Sequence, residues 1–196
     1  RLDYGIGAFD FVESVCLFSM QPVEDLEIIY VDEASYTSVM LLRILLRERI
    51  KERNATQLKF YRMPAESILA SITGKCGGLI IGDSAFKSRK SFPHCYDLAH
   101  VWQELTGTGF LFAVWAYREG SLSAEMAQGI TATMEQGIAN REVFAREWAE
   151  EHKTDSEQAM SYVRSSIHYR IENQLLAGAK RFIEYGVNAG LLPQSI

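Results

Sequence analysis

Between about Glu13 and Trp115, short apolar runs alternate with stretches of helical period, while from Leu122 to Leu192 the apolar spacing is helical almost throughout. Ser14 to Phe18 predicts a strand closed by Gln21-Pro22, and Glu27 to Val31 predicts a second that ends at Asp32. Val39, Leu42, Leu46 and Ile50 recur at helical spacing and predict a helix from about Ser35 to Lys51, with Arg43, Arg47 and Lys51 on another face. Leu58 to Tyr61 predicts a short strand. Pro64 suits the first turn of a helix reaching Ile72, because that turn needs no backbone N–H from it. Gly78 to Gly82 is apolar without alternation, as a strand covered on both faces must be. Asp97 to Leu105 reads as helix and Phe110 to Ala116 as another apolar strand. This alternation predicts an α/β architecture with a parallel sheet covered by helices.

The helical half carries its own boundary signals. Thr154 with Glu157 fits a capping box, and Asn140 can cap the stretch holding Val143, Phe144 and Trp148. The last helix is expected to bury Leu175, Ala179, Phe182 and Ile183 and to stop near Gly186 or Gly190. These helices have broad apolar faces and almost no strands of their own to cover. The chain opens with Arg1, and the expectation is that they pack on a sheet whose strands come largely from upstream of it.

Apolar residues make up 47% of the 196 residues and charged residues 23%, enough for one large domain or two small lobes with a real core. Twenty basic against twenty-five acidic side chains give a net charge of -5. That balance lacks the basic footprint that nucleic-acid binding requires. No apolar run approaches the roughly 18 residues of a membrane span. The three cysteines, Cys16, Cys76 and Cys95, are odd in number and far apart, which argues against a disulfide framework and for a reducing, cytoplasmic setting.

In open parallel sheets, ligands bind beyond the carboxyl ends of the strands. One such turn follows Val31 and holds Asp32, Ser35, Thr37 and Ser38; another follows Ile81 and holds Gly82, Asp83 and Ser84. Hydroxyls and free N–H groups at a helix start can receive a carboxylate or phosphate, although Ser35 reads equally well as a plain helix cap. His94, Cys95 and His100 do not match the spacing of a metal site. Trp102, Phe110, Phe112 and Trp115 suit either an aromatic pocket or the core. Glu147, Glu150 and Glu151 read as a solvated helix face, and neither a P-loop nor a dinucleotide fingerprint occurs.

The segment Glu13-Ser14-Val15-Cys16-Leu17-Phe18-Ser19, then Pro22 and Leu26, then Ser35-Tyr36-Thr37-Ser38-Val39 opening an Arg-bearing helix, resembles the chorismate dehydratase family of menaquinone biosynthesis. Leu79-Ile80-Ile81-Gly82-Asp83-Ser84-Ala85 extends the likeness, as do Tyr96-Asp97-Leu98, Trp102, Thr106-Gly107 and the run from Phe110 to Trp115. It spans roughly Phe11 to Trp115 well and the C-terminal helices loosely, and several ordered motifs together are more specific than any one. The resemblance implies an α/β, two-lobed fold of the periplasmic-binding-protein type (type 2). Residues 1–18 would then be a remnant of lobe one with the first crossing strand, and residues 19–112 would be lobe two. Residues 113–196 would form the second crossing and the C-terminal helices that pack on lobe one. The family's first lobe begins with a strand and an Asn-bearing loop not found here, so the N-terminal part of lobe one is expected to be missing from the chain. Whether the 196 residues alone turn over is left open.

The implied activity is that of a carbon–oxygen hydro-lyase of the futalosine route, converting chorismate to 3-(1-carboxyvinyloxy)benzoate and water with no metal or organic cofactor. Ser14 would contact the substrate near the hinge, Ser35, Thr37 and Ser38 would hold a carboxylate, and Gly82 and Asp83 would close the other side. Asp83 reads as the proton handler or as a cap for its own turn. The sister dihydroxynaphthoate synthase is expected to carry His-Glu where this chain has Gly82-Asp83, which favours the dehydratase. A reading from another class is a non-catalytic carboxylate-binding module, either a solute-binding or a sensor protein. No lipid anchor or DNA-binding helical segment is visible to support it.

Overall fold

Residues 2–33, 35–49 and 58–193 are described by the structure, a computed structural model. The strands fall into two sheets, one of five strands and one of three. In the larger, β3 (Ile28–Asp32) lies between β4 (Lys59–Met63) and β5 (Cys76–Ile81), parallel to both. β2 (Val15–Ser19) runs antiparallel to β5, and β6 (His94–Asp97) antiparallel to β2, so the order is β4-β3-β5-β2-β6. The sheet is therefore mixed, where the sequence pattern predicts a parallel one.

Helices cover both faces of this sheet, which is why its central strands read as unbroken apolar runs. Leu17, Ile29, Val31 and Leu79 point to the face packed by α1 (Tyr36–Arg49) and α4 (Leu98–Thr106). Cys16, Phe18 and Ile80 point the other way, against α2 (Ala65–Ser71) and α3 (Gly82–Ser88), as the two-residue period of a strand dictates. The stripe read for α1 is buried at Val39, Leu42 and Leu46, and Leu41, Ile44 and Leu45 widen it. Arg43 and Arg47 are exposed, with the Arg43 guanidinium 4.7 Å over the Phe60 ring. Ile50 and Lys51, the ends of the stripe and of the basic face, lie outside the described residues. Pro64 sits at the N-cap of α2, one position before the first turn predicted for it.

β7 (Phe110–Val114) does not join the larger sheet. It pairs antiparallel with β1 (Tyr4–Ala8), whose other edge pairs antiparallel with β8 (His168–Arg170), giving the order β7-β1-β8. An apolar run reports that a strand is buried, not which sheet buries it. The chain changes sheet between Ala8 and Val15 and again between Asp97 and Phe110. One continuous core joins both sheets, since Ala8, Val12, Phe110 and Ile167 cluster with Leu17, Leu98 and Trp102.

After β7 come α5 (Ala124–Ala139), α6 (Arg141–His152), α7 (Ser156–Ser161), a π-helical turn (Tyr162–Ser166), β8 and α8 (Asn173–Asn188). α8 packs on β7 and α1, so part of the sheet that its apolar face requires comes from within this chain. Leu175 is buried, Ala179 and Phe182 are half-buried, and Ile183 is 40% exposed. Gly178 lets α8 lie directly on the backbone entering β7, where a Cβ would collide with the Gly109 carbonyl oxygen. The helix continues through Gly186 and ends before the left-handed Gly190. The caps also differ from expectation. Asp155, not Thr154, caps α7, accepting from the Glu157 and Gln158 N–H groups at 2.9 and 3.2 Å. Asn140 occupies the N-cap of α6, but its Nδ2 donates back to the Gln136 carbonyl at 2.8 Å.

Candidate active site

The first sheet-to-sheet crossing is organised by one buried carboxylate. Asp97 is 3% exposed, and it accepts from the Val12 N–H at 3.2 Å and the Glu13 N–H at 2.7 Å. It also caps α4 through the N–H groups of Ala99 and His100, and pairs with the Arg89 guanidinium at 3.0 Å. Ionised acceptors of this kind make the stronger hydrogen bonds and fix their donors in place. Glu13 is held with φ of 62°, a left-handed conformation rare for a residue with a side chain. The strain is located beside the cleft, next to Ser14. The Ser14 carbonyl accepts the Gly82 N–H at 2.7 Å, which ties the crossing to the turn after β5. That turn needs φ of +66° at Gly82, which glycine adopts without steric cost.

Ser14, Gly82 and Asp83 are thereby brought together on the wall of a cleft of about 510 Å³ between the two sheets. Tyr4 joins them from β1, Arg141, Trp148, Tyr162 and Tyr169 contribute from the C-terminal half of the chain, and the lining is mostly apolar. The Tyr162 hydroxyl, on the π-helical turn, donates to Ser14 Oγ at 2.9 Å. At the other end of the same turn, Ser166 Oγ donates to the Glu13 carboxylate. π-Helical turns are uncommon and recur at functional sites. Burial raises the Tyr162 pKa, the bond to Ser14 offsets part of that, and the Asp83 charge adds to it, so the phenol stays protonated and donates at neutral pH. Tyr169 is pushed up to about 12, mainly by burial. Phe86 packs 5.0 Å from Tyr162, its ring tilted by 53°, and edge-on to Trp148 at 6.5 Å, which gives the cleft an aromatic wall.

Other residues marked by sequence lie elsewhere. Ser35, Thr37 and Ser38 open α1 at the same carboxyl edge of the sheet but do not line the cleft; Ser35 and Ser38 are buried and Thr37 is exposed. Their strand, β3, is one place farther from the smaller sheet's crossing than β5. Trp115 lines the cleft, whereas Trp102 and Phe110 are core, edge-on to each other at 5.5 Å, and Phe112 packs 4.7 Å from Phe110. His100 stacks on Phe11 at 4.1 Å and contacts Asp10 at 2.6 Å, away from His94, which stacks on Tyr96 at 6.2 Å. Among the described residues, no group of His, Cys, Asp and Glu is placed to hold a metal ion. Arg141, Tyr162 and Tyr169 carry no site signal in the sequence. A tyrosine inside a helical run looks like core, and an arginine in a first turn looks like surface.

A family model described as menaquinone biosynthesis matches residues 2–188. The chain belongs to that menaquinone biosynthesis family. Among curated relatives of this family member is the chorismate dehydratase of Thermus thermophilus, 29% identical over 164 residues, 74% of this chain and 58% of the relative. The chain thus spans 58% of the length of that relative. Among solved structures, protein AF1704 from Archaeoglobus fulgidus superposes with a TM-score of 0.75 at 20% identity, covering 97% of this chain and 73% of that one. The family member therefore shares that protein's mixed α/β fold across both sheets.

Proposed function

We propose that this chain carries the substrate cleft of a chorismate dehydratase, a carbon–oxygen hydro-lyase that converts chorismate to 3-(1-carboxyvinyloxy)benzoate and water. The observation that carries the reading is the meeting of Ser14, Gly82 and Asp83 on one wall of a cleft, in a menaquinone biosynthesis family member similar to a chorismate dehydratase. The arrangement of two sheets, two crossings and an intervening cleft supports the two-lobed, periplasmic-binding-protein reading of the fold. Among the described residues no helix is long and apolar enough to cross a membrane.

The reaction removes a proton from the ring carbon bearing the enol ether and hydroxide from the neighbouring carbon. The C–H electron pair becomes the new ring double bond, and aromatisation supplies much of the driving force. We assign Asp83 to take that proton and return it to the departing hydroxide, so that one water leaves and the carboxylate is regenerated. Ser14 and Tyr162, linked at 2.9 Å, are placed to hold the leaving hydroxyl by hydrogen bonding. The aromatic wall of Phe86 and Tyr162 suits a flat six-membered ring and keeps water from it. Ser35, Thr37 and Ser38 are assigned to shaping the start of α1. Incubation with chorismate, followed by mass spectrometry, tests the reading. Loss of one water supports it, and chorismate bound but intact assigns the cleft to a carboxylate-binding module instead.

A further inference from the structure

The charges lining the cleft comprise one cation, Arg141, and one carboxylate, Asp83, among the described residues. Asp83 comes from α3 on the larger sheet, and Arg141 opens α6, beyond the smaller one. Arg141 is half-buried, and its Nη1 donates to the Ile138 carbonyl at 2.7 Å. A guanidinium has five N–H donors, so most of its capacity is not accounted for by that bond. Glu142, the adjacent carboxylate, is taken by Arg164 through two bonds of 2.9 and 2.8 Å. The Arg141 charge reaches Glu142 as well, but the ion pair of that carboxylate is with Arg164. Its neighbours on the cleft wall, Ile138, Phe144 and Ala145, are apolar.

A cation set in an apolar wall, with its neighbouring carboxylate hydrogen-bonded to another arginine, is costly unless a ligand brings an anion. Two of the cleft tyrosines register the resulting field. Tyr169 is raised chiefly by burial while the Arg141 charge pulls it back, and Tyr162 is raised chiefly by burial with the Asp83 charge adding to it. The cleft is positive toward Arg141 and negative toward Asp83.

We infer that Arg141 is the anchor for a ligand carboxylate, selecting flat-ring carboxylates and setting their orientation. The ring lies along Phe86 and Tyr162, its carboxylate sits at the start of α6, and Asp83 repels that carboxylate from its own end. The inference rests on the cleft being the substrate site, as proposed above. For chorismate it places the hydroxyl-bearing side of the ring near Ser14, Tyr162 and Asp83.

The test uses isophthalate, benzoate and neutral benzamide as probes, with binding measured by calorimetry on this chain and on Arg141→Gln and Arg141→Lys. Arg141→Gln is expected to weaken both carboxylates roughly tenfold or more, the scale of a lost charge-assisted contact, and to leave benzamide unchanged. Arg141→Lys is expected to recover part of the loss. The inference is overturned if Arg141→Gln binds benzoate like the unsubstituted chain, if benzamide is lost equally, or if none of the probes binds. Turnover separates the two readings. Carboxylate binding that depends on Arg141 without dehydration of chorismate sinks the enzyme assignment alone, whereas dehydration whose KM is unchanged in Arg141→Gln sinks the anchor alone.

Discussion

Replacing Asp97 by Asn changes the shape of the side chain little and should cost much of its function in the fold. Oδ1 accepts from the N–H groups of Val12, Ala99 and His100, and Oδ2 from the Glu13 N–H and Arg89 Nη1. An asparagine presents one acceptor oxygen and one donor amide, so its NH₂ must face either the Glu13 N–H and Arg89 or the donors of the α4 start. In both orientations buried donors lose their acceptor, at about 1–3 kcal/mol for each such group. Arg89 also loses the partner of an ion pair whose carboxylate is almost wholly buried, 1% exposed on its side chain. With relaxation toward solvent on the Arg89 side, about 3 kcal/mol is a reasonable sum. For a chain of this length that corresponds to a fall in melting temperature of roughly 6–12 °C. Scanning calorimetry of the variant measures it. Asp10→Asn, which removes an exposed carboxylate beside His100, serves as the control and should shift stability by less than about 0.5 kcal/mol. An Asp97→Asn protein that melts within 2 °C of the unsubstituted chain, by the same roughly 2–4 °C per kcal/mol, would refute the anchoring role.

Tyr162→Phe removes the hydroxyl bonded to Ser14 while keeping the ring against Phe86, so kcat should fall about tenfold with KM and stability nearly unchanged; steady-state kinetics decide it. Asp83→Asn should abolish turnover and retain chorismate binding, while Thr37→Ala, outside the cleft, should leave Kd within about twofold by calorimetry. A Thr37→Ala variant that loses binding would move the anion site to the start of α1. The His168 pKa is lowered by burial, with Glu172 opposing in part. The folded chain then resists the proton that the unfolded chain accepts near 6.5. Stability is full above that pH and falls as the pH drops below it. Denaturant titrations between pH 8 and 5 should show a shallower fall in His168→Gln.

Much of the larger sheet is legible in the sequence because two-sided burial leaves little choice of residue. Leu17 and Phe18 face opposite helical layers, so neither can be polar, and the same holds for Leu79 and Ile80. The strands not legible in the sequence are those without such pressure. β1 carries two glycines in five residues, β6 is a half-buried edge strand, and β8 is three residues inside a helical run. The apolar run of β7 was visible, but its partner β1 was not, and with it went the second sheet. The turn holding Gly82 and Asp83 was legible as the exit of a doubly covered strand. The start of α1 carries the same signals and lies outside the cleft, because strand order is not written in local pattern. Tyr162 and Arg141 become site residues only when the π-helical turn and the opening of α6 are set against the first crossing, 148 positions away in the case of Tyr162 and Ser14.

The most direct measurement is proton NMR of chorismate incubated with this chain, with the Thermus thermophilus chorismate dehydratase as reference. The expected result is loss of the ring vinyl signals and growth of those of a meta-substituted benzoate, with the enol ether methylene retained, and no such change with Asp83→Asn. Ring signals that persist in the presence of bound protein, or an enol ether released while the reference enzyme keeps it, would contradict the dehydratase account.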